Sequence, residues 1–233
     1  MSVAVVLPTY NEAENLRPMV RRLREVLPDV RIVIADECAL EFGNIDVLHR
    51  PGKQGLGNAY RHGFAHVLAT DIDVVVTMDV DFSHDPAVIP SMLNAINAGA
   101  DAVVGSRYVR GGGTVNWPIH RRLLSRWGNL YTGALVGVKV RDCTSGFRAY
   151  RRTALQAIAP ETTVADGYAF LTELVLRLAR SGRSIAEVPI TFKERERGTS
   201  KMSGRIIAES MLLVTRWGVS ARWKRLVSLI RRH

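Results

Sequence analysis

Asp79 and Asp81 stand two residues apart, just behind the β-branched run Val74-Val75-Val76. Carboxylates at i and i+2 of a strand point the same way. Such a pair at a strand's carboxyl end suits one hard cation bound through oxygen. Asp-x-Asp also describes an ordinary solvated acidic turn, so its meaning rests on what surrounds it. Arg107, Arg121, Arg195 and Lys201 form a second set, suited to phosphate. Arginine offers phosphate oxygens a planar fork and lysine offers a point charge. Each of them has the plainer reading of a surface ion pair. No Ser-His-Asp or Cys-His arrangement stands out. His49, His62, His66 and His120 lack zinc spacing. His84 reads as a cap or loop residue ahead of the next helix. The stretch Gly52 to Gly57 resembles a phosphate-cradling loop but lacks its Gly-Lys-Ser/Thr ending, and reads as a turn opening a helix.

The elements that must hold these residues alternate between strand and helix. Val3 to Leu7, Arg31 to Ala35, Asn44 to His49, Val74 to Val76 and Ala102 to Gly105 read as strands. A helix follows the first strand, with Leu16, Val20, Leu23 and Leu27 near 3.6-residue spacing and Asn11 as its N-cap. Gly55 to Leu68 and Pro86 to Ala98 read as further helices, the latter with proline in its first turn. This alternation predicts an α/β fold with a mainly parallel sheet. Ligands of such sheets sit at the strands' carboxyl ends, where Asp79 and Asp81 fall. Beyond Arg107 come a flexible Gly111-Gly-Gly113 loop, a helix over Trp117 to Val136, and a polar turn at Asp142 to Gly146. Phe147 to Tyr150 follows, then a helix over Gly167 to Ala179, an extended Ile185 to Phe192, and a charged loop from Lys193 to Lys201. Ser203 to Trp217 reads as an apolar helix broken by Gly218. Val219, Trp223, Leu226, Val227 and Ile230 then line one face of a basic amphipathic helix suited to a membrane interface. These patterns predict one domain over residues 1–202 and a membrane-contacting appendage over 203–233.

The chain has 233 residues, 47% of them hydrophobic, which places it among folded globular proteins. No apolar run approaches the roughly 18 to 20 residues that span a bilayer. The start of the chain lacks the pattern of a signal peptide. Two cysteines, Cys38 and Cys143, make no disulfide framework, and a reducing cytosol is expected. Charge is uneven: 8 Lys and Arg against 13 Asp and Glu in residues 1–100, then 24 against 9 in residues 101–233. The basic half predicts an anionic partner: nucleic acid, a phosphate-bearing lipid or a membrane surface. No helix-turn-helix, finger or aromatic platform supports nucleic acid.

Eight motifs in order resemble the family 2 glycosyltransferases, and among them the polyprenyl-phosphate (dolichol-phosphate) mannosyltransferases of soluble-domain type. They are LPTYNEAENL at 7–16, HRPGKQGLGNAY at 49–60, MDVDFSHDP at 78–86, VVGSRY at 103–108, RRLLSRWGN at 121–129, DCTSGFRAYRR at 142–152, DGYAF at 166–170 and FKERERGTSKMS at 192–203. The resemblance implies a GT-A fold, with C-terminal amphipathic helices after it in this chain. It also implies inverting transfer of mannose from GDP-mannose to a polyprenyl phosphate, with Mg²⁺ or Mn²⁺. By motif position, Pro8, Tyr10, Glu12 and Asp36 would hold the nucleoside. Asp79, Val80 and Asp81 would meet the donor, with Asp79, Asp81 and Ser83 at the metal. Arg107, Arg121 and Ser125 would meet the acceptor phosphate. Arg195 and Lys201 would close over the donor diphosphate. Asp79, Asp81 and Arg107 are the catalytic candidates. The expected place of work is the cytosolic face of a membrane, held peripherally. A membrane-spanning partner is compatible with this, and the sequence does not reveal one.

The chain departs from the pattern after strand two. Only Glu37 to Asn44 separate Asp36 from the third strand. A helical crossover needs at least about 10 to 12 residues, so the family's usual helix is expected to be missing there. Two alternatives follow. One is the same chemistry with UDP-glucose or another sugar nucleotide. The other is an impaired scaffold that binds nucleotide or lipid phosphate without turnover.

Overall fold

A computed structural model describes residues 1–9, 12–36, 45–49, 55–167, 169–194 and 204–230. At Ala13, Asp36, 204–207, 221–222 and 224–230 it describes the backbone alone. Seven strands form one sheet in the order β3-β2-β1-β4-β7-β5-β8. They are β1 (Val3–Pro8), β2 (Arg31–Asp36), β3 (Asp46–His49), β4 (Val74–Thr77), β5 (Ala102–Ser106), β7 (Arg148–Arg151) and β8 (Ile185–Pro189). A small parallel pair, β6 (Gly113–Val115) and β9 (Thr191–Lys193), lies outside it. β6 therefore begins inside the predicted glycine loop.

The sheet is parallel except for β7, which runs antiparallel between β4 and β5. Strands β2 and β3 are parallel neighbours, with Asp36 opposite His49. The apolar run at Val74 to Val76 is explained by two-sided burial. Val74 and Val76 face one core with Val5, Leu7, Leu16, Met19 and Ile89. Val75 faces the other with Ala4, Val6, Phe64, Tyr150 and Phe170. α1 (Ala13–Val26) and α3 (Ile89–Asn97) cover the first face; α2 (Leu56–Leu68) and α6 (Ala169–Arg180) cover the second. Burial on both faces is what a near-continuous apolar strand serves. α5 (Arg152–Ala157) follows β7 directly. α1 begins after Glu12 rather than with a side-chain cap, and the predicted cap, Asn11, lies outside the described residues.

The C-terminal region corrects the sequence reading. Gly218 does not break the helix: α7 runs unbroken over Gly204–Ile230. The reason is tertiary packing. α7 lies against α4 (Ile119–Val136) and α6, with Val214 beside Val136 and Leu176. Gly218 is buried there, and a Cβ on it would stand 2.8 Å from the Leu135 carbonyl oxygen. Glycine thus lets two helices approach, and packing offsets its cost of about 1 kcal/mol in a helix interior. The expected appendage is one helix, partly packed on the body.

Candidate active site

β4 ends at Thr77, whose Oγ1 donates to the Gly146 carbonyl at 2.8 Å. The chain then leaves the sheet, so Asp79 and Asp81 do not sit on a strand and do not share one outlook. The Asp79 side chain is 39% exposed and faces a cavity. Asp81 is buried, and its Oδ1 accepts the Ser83 backbone N–H at 3.1 Å. Val80, between them, is buried in the core. Phe82 has a φ of 60°, an uncommon value for a non-glycine residue, and it turns the chain back toward the sheet.

His84 closes this turn. Its ring is buried between Phe147 and Phe192. Nδ1 accepts the Asp79 backbone N–H at 3.4 Å and lies 3.8 Å from the Asp79 carboxylate. Burial pushes its pKa down to about 4, against an upward pull from Asp81. The ring is therefore neutral near pH 7 and positions the backbone of Asp79, which refines its expected loop role.

The cavity, of about 210 Å³, opens beside Asp79 and runs between α4 and α7. Its lining includes Asp79, Arg107, Trp117, Arg121 and Ser125 together with the apolar Leu124, Trp127, Met211 and Val214. Among the described residues the buried indole Nε1 of Trp117 has no hydrogen-bond partner. Arg121 stacks over Trp117 at 4.2 Å and pairs with Glu194 at 2.6 Å. The Ser125 hydroxyl accepts from the Tyr108 hydroxyl at 2.6 Å.

Arg107 is held firmly. Its Nε and Nη2 each donate to Asp142 at 2.7 Å, and Nη2 also donates to Thr144 Oγ1 at 2.8 Å. Burial alone would lower the guanidinium's pKa, but the facing Asp142 carries it above the ordinary arginine value. Burial alone would raise Asp142, yet Arg107 holds its carboxyl below the usual carboxylate range. Asp142 is fully buried and was absent from the sequence-derived site. A carboxylate inside a basic half of the chain was the available signal. Arg148 was missed as well; its guanidinium lies wholly inside the fold.

The donor-side candidates are dispersed in what the structure describes. Pro8 ends β1 opposite Ala35, Glu12 caps α1, and Asp36 ends β2, where only its backbone is described. Tyr10, Arg195 and Lys201 lie outside the described residues. Asp79, Arg107, Arg121 and Ser125 share the cavity; Ser83 lines a second one across His84, beside Arg17, Arg21 and Lys193.

Carboxylate and hydroxyl oxygens, as on Asp79, Asp81 and Ser83, are the ligand type a hard divalent cation takes. Gly146 leaves space beside Asp79, where a Cβ would stand 3.6 Å from Oδ1. Among the described residues the buried Ser83 hydroxyl has no hydrogen-bond partner. Among the described residues no third acidic, His or Cys side chain joins the two carboxylates. One or two carboxylates completed by substrate phosphates is the usual composition of a Mg²⁺ site.

The mainly parallel sheet, its one antiparallel strand, and the acidic turn beyond β4 define a GT-A transferase fold. Glucosyl-3-phosphoglycerate synthase from Mycobacterium tuberculosis superposes with a TM-score of 0.68 at 19% identity, over 92% of this chain and 80% of that one. Its complex with Mn²⁺, UDP-glucose and phosphoglyceric acid gives 0.65 at 19% identity, over 92% and 79%. These similarities carry the fold alone. The model of glycosyl transferase family 2 matches residues 4–159, and this chain belongs to that family. An undecaprenyl-phosphate mannosyltransferase from Micrococcus luteus is 44% identical over 96% of this chain and 97% of its own. A polyprenol monophosphomannose synthase from Mycolicibacterium smegmatis is 43% identical over 97% and 91%. A dolichol-phosphate mannosyltransferase from Pyrococcus furiosus is 36% identical over 90% of this chain and 61% of that one.

Proposed function

We propose that this glycosyltransferase moves mannose from GDP-mannose to a polyprenyl phosphate at a membrane surface. The observation that carries this is the cavity: it is lined by the charged Asp79, Arg107 and Arg121 and by apolar residues of α4 and α7. An anionic head with a hydrocarbon tail matches those two kinds of lining. The names of the relatives at 43% and 44% identity support the same acceptor class.

The acceptor phosphate is already anionic near neutral pH, so an oxygen of it attacks the anomeric carbon without a strong general base. The bond from that carbon to the diphosphate oxygen breaks, configuration inverts, and GDP leaves. A divalent cation held by Asp79 and Asp81, when bound, neutralises charge on the departing diphosphate. Arg121 meets the acceptor phosphate, with Ser125 and the Trp117 N–H beside it. Arg107 anchors the turn at Asp142 to Thr144 through its ion pair and presents its remaining edge to the cavity. Pro8, Tyr10, Glu12 and Asp36 hold the nucleoside, and Arg195 and Lys201 cover the diphosphate.

Membrane contact is peripheral and faces the cytosol in this reading. Among the described residues no helix is long and apolar enough to cross a bilayer. Instead, Ile119, Leu123, Trp127 and Leu130 recur along α4 with their side chains in solvent, and Val219 and Trp223 do so on α7. Arg122 and Arg126 lie among them, an arrangement suited to an anionic interface. Labelled transfer from several sugar nucleotides to a short polyprenyl phosphate tests the proposal. Lipid-extractable mannose from GDP-mannose, well above glucose from UDP-glucose, is expected; the reverse preference would overturn the donor assignment.

A further inference from the structure

Arg148 is among the largest fully buried side chains of the protein. It projects from β7, and among the described residues its hydrogen bonds go to neutral acceptors. Nε donates to the Ser145 carbonyl at 2.7 Å, Nη1 to the Leu171 carbonyl at 2.6 Å and Nη2 to the Cys143 carbonyl at 2.7 Å. Nη1 also reaches the Tyr150 hydroxyl at 3.4 Å. Among the described residues no carboxylate forms an ion pair with it, whereas Arg107 pairs directly with Asp142.

A guanidinium cannot shed its charge. Taking it out of water costs several kcal/mol unless charge of opposite sign compensates. These four hydrogen bonds engage most of its five N–H donors but leave the net charge in place. Two of the residues it holds, Ser145 and Leu171, line the cavity beside Asp79. The charge therefore lies directly behind the cavity wall, inside the fold, where solvent screens it little. Against burial, which would raise the pKa of the neighbouring Asp142 carboxyl, Arg107 first and Arg148 after it favour the ionised form. Arg148 also draws the Cys143 and Ser145 carbonyl oxygens into the core, and Thr77 does the same for Gly146. Three carbonyl dipoles of the cavity-lining turn are thereby engaged on the protein side.

We infer that Arg148 is a positioning residue for the acceptor phosphate: a buried charge behind the wall that makes the cavity prefer an anionic occupant over a neutral one of the same shape. This rests on the cavity being the acceptor site proposed above. Lysine would keep the charge while losing the fork. Glutamine would keep a donor for one carbonyl while losing the charge.

The test compares binding of farnesyl phosphate and of farnesol to wild type, Arg148→Lys and Arg148→Gln. Arg148→Gln is expected to lose roughly tenfold in phosphate affinity, the scale of one charge acting across several ångströms of protein, while farnesol binding stays within twofold. Arg148→Lys is expected to keep the phosphate-over-alcohol preference within about threefold of wild type. An unchanged preference in folded Arg148→Gln would overturn the inference, as would equal weakening of both ligands in both variants, which marks a purely structural role. Should Arg148→Gln not fold, Arg148→Lys decides alone: preference kept supports the inference, and preference lost removes it. Wild type binding neither ligand would remove the acceptor site itself, and the inference with it.

Discussion

At the scale of residues, Asp79 and Asp81 differ in setting more than their spacing suggests. Asp79 faces the cavity, and Asp81 is buried and tied to its own turn. Removing charge from Asp79 should therefore leave the fold intact and damage the reaction. Asp79→Asn is expected to lower kcat by ~10²–10³, the usual cost of one stabiliser of developing charge, with an unchanged thermal midpoint; a kcat within threefold of wild type would remove it from the chemistry. Arg107 behaves in the opposite way. Breaking its buried pair leaves Asp142 without its partner, and Arg107→Ala should cost about 3–5 kcal/mol in urea unfolding. The pH dependence follows from Asp142, whose folded pKa is depressed. Its contribution is present above the unfolded aspartate value near 4 and is lost as pH falls through the lower folded value. Arg107→Met should flatten the acid limb of the stability curve, measured between about pH 2 and 5. The sequence showed these residue types and their motifs. It did not show that Arg107 is spoken for by a carboxylate 35 positions away. Nor did it show that His84 and Arg148 are interior, because a polar side chain's burial depends on partners that only the fold supplies.

At the scale of elements, local pattern was a good guide where burial is simple and a poor one where tertiary packing decides. The central strands could be read because two-sided burial writes itself as a continuous apolar run. The stretch before Tyr150 could be read as a segment, but not its antiparallel place between β4 and β5, since its pairing partners are distant in sequence. Gly218 was misread because its helix-breaking tendency is outweighed by the approach of α7 to Leu135. Gly218→Leu should force α4 and α7 apart and destabilise the protein by roughly 1–3 kcal/mol; an unaffected midpoint would mean the contact is not tight. In the proposed reading, exposed apolar residues of α4 join the end of α7 as a candidate membrane contact. Leu123→Glu with Trp127→Glu is expected to reduce co-sedimentation with anionic vesicles more than deletion of residues 219–233 does. The reverse order would return the main contact to the end of α7.

At the scale of the whole molecule, charge and apolar surface fall together. Residues 101–233 carry 24 Lys and Arg against 9 Asp and Glu, and the same part of the chain supplies the exposed apolar residues of α4 and α7. Hydrophobic insertion is insensitive to salt, whereas attraction to an anionic surface is screened over about 8 Å at physiological ionic strength. Binding to anionic vesicles should thus fall steeply between 50 and 500 mM salt, while the smaller binding to neutral vesicles stays nearly level. Salt-independent binding to both would leave the basic half without this role. The cavity ties this surface to the sheet: its lining takes in residues of α4 and α7 as well as Asp79 beyond β4. Catalysis at a membrane requires that continuity, because the lipid's head must reach the sugar while its tail stays out of water. The most direct test is a crystal structure of the protein with Mn²⁺, GDP and farnesyl phosphate. The account predicts the cation on Asp79 and Asp81, the lipid phosphate at Arg121, and the farnesyl chain between α4 and α7. A cation elsewhere with Asp79 turned from the diphosphate, or a lipid bound outside that cavity, would contradict it.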